Sequence, residues 1–281
     1  GETPDTQPIN DSATKYAMIA ETPTSAATSL GLDQNLTFAG TVGGAGANDT
    51  YLISVSMGGK VIVFGEVKAG DFNPQMYNSF TDGTKAAIEM AAVANGTGLD
   101  CPDNGLAFPP AGLHDLANVF KPASEGGRLA RSGLIDIAAS QEPDGREVLN
   151  NIRFGMFVTF KAPDEYTRAC FKQYGLLTDK SGWYASMWRP FHLIGLETSV
   201  SVLSAVLRGE PTGTSREFRA DAVATAKTNL KAGDMLDGEG GYTVWGKLLP
   251  AATSRQMGGL PLGLAHQVKV VRPVKQGQSL C

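Results

Sequence analysis

The sequence is poor in the residues from which metal centres and disulfide frameworks are built. Its 281 residues include three cysteines, Cys101, Cys170 and Cys281, far apart and with no C-x-x-C pair. An odd, sparse set argues against a disulfide scaffold and fits a reducing compartment, so a cytoplasmic location is expected. The three histidines, His114, His192 and His266, are equally scattered, so zinc-ligand spacing is missing and no metal is expected. No apolar run approaches the ~18 residues that cross a bilayer. A net charge of −4 without a basic run leaves no electrostatic footprint for nucleic acid. G-x-S-x-G, P-loop and H-E-x-x-H motifs are missing too, which removes the usual serine hydrolase, NTPase and zinc-enzyme readings.

What is present is a globular composition, 42% hydrophobic and 19% charged, with 34 glycines. That suits one large or two modest domains with many tight turns. Asn10, Asn35, Asn48 and Asn95 each open an N-x-S/T triplet; with no recognisable signal peptide these read as coincidence.

Residues 1–14 are polar and proline-bearing and read as a flexible arm; a short helix is expected over Ser25–Leu30. Leu36–Ala39, Tyr51–Val55 and Lys60–Val67 read as strands around the glycine-rich loop Gly40–Asp49 and a turn at Met57-Gly58-Gly59. The loop is not a dinucleotide fingerprint, because a strand rather than a helix follows it. Asn73–Gly98 reads as one helix, with Asn73 as N-cap, Pro74 in the first position and Gly96 and Gly98 at the exit. Further on, His114–Phe120, Asp164–Tyr174 and Thr198–Leu207 are predicted helices; Leu134–Ala138, Phe154–Phe160, Trp183–Trp188 and Ala222–Ala226 are predicted strands. The fold class is α/β (α+β) over residues 15–215, followed by a small all-β module over 221–281.

Two constellations have the residues for chemistry. On the long helix, Asp82, Lys85 and Glu89 recur at spacings of three and four, so they share a face. A lysine held between carboxylates stays charged and polarises a carbonyl or donates a proton to a developing alkoxide. The same spacing also makes an ordinary solvated ion-pair face. The second set is Arg189, His192 and Glu197, between a strand and a helix, where α/β proteins assemble sites. Arg189 suits bidentate anion binding and His192 suits acid–base work; a packed histidine and a structural ion pair are the alternative. Ser132, close to Gly126-Gly127, suits a backbone anion nest.

Five stretches taken together carry a resemblance: residues 80–99 (FTDGTKAAIEMAAVANGTGL), 125–138 (EGGRLARSGLIDIA), 188–198 (WRPFHLIGLET), 205–212 (AVLRGEPT) and 225–246 (TAKTNLKAGDMLDGEGGYTVWG). In that order they resemble the homoserine dehydrogenase-like, deoxyxylulose phosphate reductoisomerase-like oxidoreductases that carry a C-terminal SAF domain. The resemblance implies that Asp82–Met90 and Arg189–Glu197 belong to a substrate domain and that 221–281 is a SAF-like β-clip. It implies Lys85, Asp82, Glu89, His192 and Glu197 as catalytic residues, with Arg189, Ser132 and Thr84 binding substrate. The family's NAD(P)-binding Rossmann domain has no counterpart in these residues. Either a separate Rossmann-domain subunit supplies NAD(P), or the scaffold runs a cofactor-independent isomerase, lyase or cyclase reaction, or it is a non-catalytic binding subunit. A small anionic metabolite and a homodimer are the expected partners.

Overall fold

The computed structural model describes residues 37–42, 50–57, 60–68, 74–193 and 195–281. The arm, Ser25–Leu30 and Asn73 lie outside them. β1 (Thr37–Val42), β2 (Thr50–Met57) and β3 (Lys60–Lys68) form an antiparallel meander, with a bulge opposite Ile53-Ser54. β1 runs on through Gly40, Thr41 and Val42, which the sequence reading places in the loop, and the rest of that loop lies outside the described residues.

The predicted helix over 73–98 is two helices, α1 (Pro74–Thr81) and α2 (Thr84–Thr97). Gly83 breaks them apart with φ 83°, a left-handed conformation that glycine adopts without steric cost. Met76 and Phe80 are exposed, while Thr84, Ala87 and Ala94 are buried on α2 alone. α2 ends at Gly98, again left-handed, whose N–H returns to the Ala94 carbonyl.

α3 (Leu116–Val119) lies within the predicted helix over 114–120 and is preceded by a 3-10 turn at Leu113–Asp115. Leu134–Ala138 is not a strand: Leu134 makes an isolated parallel bridge with Asp100 and Ala139, just beyond, another with Pro110, with no continuous ladder between them. β4 (Met156–Lys161), β5 (Leu177–Thr178) and β6 (Tyr184–Arg189) form an antiparallel sheet in the order β4-β6-β5. α4 (Glu165–Gln173) starts at Asp164, whose carboxylate accepts from Thr167 N at 2.7 Å, and its Phe171 meets Phe160 edge-on. α5 (Thr198–Arg208) follows β6.

The C-terminal part is not all-β. Its strands β7 (Ala220–Ala226), β8 (Met235–Asp237), β9 (Val244–Pro250) and β10 (His266–Lys269) are joined by α6 (Ala251–Met257). β7 pairs with β9 over seven residues each, and both are buried almost continuously, a pattern of strands covered on two faces. α2 supplies one cover. Its Ala87 and Ala94 join Leu106, Ile135, Ala220 and Leu248 in one core, and its Ile88 packs on a second built from Ala224, Leu236, Val244, Leu262 and Leu280.

Candidate active site

The start of α2 is held from the far end of the chain. Asp82, at the break, is fully buried; its Oδ1 accepts from Thr84 N at 2.8 Å and its Oδ2 lies 2.6 Å from Lys227 Nζ, also fully buried. The Thr84 hydroxyl accepts from Gly246 N at 2.9 Å in β9. At the other end of α2, the Asn95 side chain donates to Ala220 O and accepts from the Arg219 and Ala220 amides. This triplet asparagine is a clamp. In α1, Asn78 donates to the carbonyls of Gly240 and Gly241, and Lys227 bonds Gly241 O as well.

Asp82 therefore does not join Lys85 and Glu89 on one face. The helix break turns its carboxylate inward to Lys227, while Lys85 and Glu89 form an i,i+4 pair at 3.4 Å, partly open to solvent. The arrangement leaves a lysine on the first turn of α2, flanked by two anchored residues and balanced by one accessible carboxylate.

Two perturbed groups border this turn, and sequence reasoning passed over both. Asp136 accepts from the amides of Ala107 (3.0 Å), Phe108 (3.2 Å) and Ile137 (2.8 Å), yet burial pushes its carboxyl up to about 6. Its neighbours Ile135 and Ile137 pack with Ala86, Ala87 and Phe108, and the Phe108 ring lies against Gly83. Phe108 is held at φ 49°, uncommon for a bulky residue. From β9, Lys247 bonds Asn104 Oδ1 at 2.7 Å, next to Gly105, and burial pulls its ammonium down. The available signal was an aspartate alone among isoleucines and alanines in residues 134–138.

The second constellation assembles elsewhere. Arg189 at the end of β6 pairs with Glu197, whose Oε2 accepts from Leu193 N at 2.8 Å. That backbone bond, with the Arg189 guanidinium, holds the Glu197 carboxyl below its ordinary range. His192 Nδ1 lies 3.2 Å from Phe154 O. Arg189 also stacks over the Phe191 ring at 5.5 Å. Among the described residues, no hydrogen bond or ion pair joins this group to Lys85. Ser132 is exposed in a third place, its carbonyl accepting from Arg131, which also binds Asp100.

β1 pairs with β2 antiparallel, and β2 is the next described element after β1, whereas a dinucleotide cradle is formed where a strand leads into a helix.

The family described as the oxidoreductase DRL catalytic domain matches residues 28–198, and the chain belongs to it. It is thereby an oxidoreductase-like enzyme domain. The matched span contains every residue of both constellations, whereas Lys227, Gly246 and Lys247 lie beyond it. No curated protein matches the chain. Among the described residues, no helix is long and apolar enough to cross a membrane.

Proposed function

We propose that this domain works on a carbonyl or hydroxyl of a small anionic, oxygenated metabolite, as the substrate half of a homoserine dehydrogenase-like oxidoreductase. The supporting observation is Lys85, presented on the first turn of α2 directly after the anchored residues Asp82 and Thr84, with Glu89 beside it. An ammonium fixed there polarises a substrate oxygen and returns a proton as charge develops, with Glu89 as its counter-ion. Asp82 and Thr84 act by anchoring that turn. Arg189 recognises the anionic end of the substrate, Glu197 orients Arg189, and His192 and Ser132 complete the binding surface. Substrate binding is what would bring the two constellations to bear on one molecule. A separate Rossmann-domain subunit would hold NAD(P), which would supply hydride transfer, and residues 221–281 form a SAF-like module that here braces α2.

A cofactor-independent isomerase or lyase is the second reading, favoured by Asp136. A carboxyl with proton affinity near neutrality is matched to proton abstraction next to a carbonyl.

The test begins with the purified chain titrated with NADPH and NADH while nucleotide fluorescence is followed. No saturable binding is expected, and saturation by the chain alone overturns the separate-subunit claim. With an active substrate from a panel of small hydroxy- and oxo-acids and their phosphates, Lys85→Ala should lower kcat by ~100-fold or more. Unchanged turnover in Lys85→Ala sinks the catalytic assignment.

A further inference from the structure

The chain contains two Asn-Gly dipeptides, Asn95-Gly96 and Asn104-Gly105, and the fold treats them in opposite ways. An asparagine before glycine is open to attack on its side-chain amide by the next backbone nitrogen, because glycine has no Cβ to obstruct the approach. Asn95 is closed to this reaction. It lies inside α2, and its side chain donates to Ala220 O at 3.0 Å and accepts from the Arg219 and Ala220 amides at 2.7 and 3.0 Å.

Asn104 is held at one atom only. It is exposed in the turn over 102–105, whose closing bond from Gly105 N to Pro102 O is long, at 3.4 Å. Its Oδ1 accepts from Lys247 Nζ on β9 at 2.7 Å, and among the described residues its Nδ2 has no partner. Lys247 is half-buried and has no carboxylate within ion-pair reach among the described residues, so burial alone pulls its proton affinity down. Gly105 stands against the same lysine, since a Cβ there would lie 3.5 Å from Lys247 Cε. An internal cyclisation needs a backbone nitrogen with little to hold it, a polarised carbonyl and an amide free to leave. All three meet here.

We infer that Asn104 is a self-modification site, where Lys247 promotes loss of the side-chain amide and is left facing a carboxylate. The Gly105 backbone nitrogen gives up its proton and bonds to Asn104 Cγ. The Cγ–Nδ2 bond then breaks, and Nδ2 departs as ammonia with a proton from Lys247, which is reprotonated from solvent. One water opens the resulting five-membered imide, at Cγ to give aspartate or at the backbone carbonyl to give isoaspartate. One water is consumed and one ammonia released, with no oxidant or reductant. The Lys247 ammonium stabilises the charge that builds on Oδ1 during the attack and acts as the acid for the leaving nitrogen. Both products carry a carboxylate, so β9 gains an ion pair to the loop whose Leu106 packs with Ala87 of α2.

The experiment incubates the full chain at neutral pH and follows both dipeptides by peptide mass spectrometry, where conversion adds about 1 Da. In the folded protein Asn104 should convert at least ~10-fold faster than Asn95. In concentrated urea the ratio should fall to about one, because neither residue keeps its surroundings. Lys247→Met and Lys247→Gln should each slow Asn104 about tenfold. Asn95 reports on folding in the same samples, since its conversion rises only when the clamp to Ala220 opens. Equal conversion of the two sites in the folded protein, or none at Asn104, overturns the proposal. Undiminished conversion in both Lys247 variants, with Asn95 still protected, overturns it as well.

Discussion

At Asp136 two influences oppose each other: three amide donors favour the carboxylate, and burial favours the acid. Burial prevails, and the group's proton affinity rises from the ordinary value of 3.8 to about 6. The folded state thus holds this proton more tightly than the unfolded chain does. The stabilisation is fully present below pH 3.8 and is lost as pH rises through about 6. Scanning calorimetry of wild type and Asp136→Asn from pH 4 to 7 should show the wild type losing ground to the variant as pH increases. A constant difference in melting temperature would mean that Asp136 titrates normally. Asp82 and Lys227 make the opposite kind of pair, fully buried and mutually neutralising. Lys227→Met should cost ~3–5 kcal/mol in urea unfolding, because it strands a buried carboxylate, and adding Asp82→Asn should recover most of the loss. The sequence made Lys85 and Glu89 recognisable as an i,i+4 pair. It gave no sign that the third charge would turn away to a lysine so distant, because pairing across such a separation leaves no local pattern.

At the scale of elements, glycines decide where α1 stops and how the 238–241 loop meets it. A Cβ at Gly83 would stand 3.7 Å from Phe108, ordinary contact, so Gly83→Ala should cost only the left-handed backbone, ~1–2 kcal/mol. A Cβ at Gly240 would stand 1.8 Å from the Gln75 carbonyl oxygen, so backbone must move; Gly240→Ala should cost more, ~3 kcal/mol or above. Denaturant unfolding of the two variants gives the ranking, and equal losses would remove the steric argument. Helices and strands with strong local signals were legible: the helix over Asp164–Tyr174, found as α4, and the strands over Phe154–Phe160 and Trp183–Trp188, found as β4 and β6. The break at Gly83 was not, since the residues on both sides of it are compatible with a helix and a single glycine is tolerated within helices. Nor was α6, hidden in a glycine-punctuated region that resembles strand and turn.

At the scale of the molecule, the C-terminal part is a wall of the catalytic domain. α2 lies on β7 and β9 and contributes to both cores. A chain ending at residue 215 should fail to fold, with loss of the cooperative melt and rapid proteolysis of 74–215. A stable, protease-resistant 74–215 would show instead that the C-terminal part is dispensable. Composition and motif order made the mixed helix-and-sheet class legible. The mutual dependence of the two parts was not, because it resides in contacts such as Asn95 with Ala220 and Thr84 with Gly246.

The last of these contacts spans 162 residues of chain. During synthesis, at ~5–20 residues per second, the lysine turn of α2 leaves the ribosome many seconds before the strand that anchors it. Lys227 reaches Asp82 only after β7 has been made, and the Thr84 anchor comes later still, with β9. The nascent chain therefore passes through a long interval in which α2 exists but its anchors do not, and the turn takes its final shape only with the last strands.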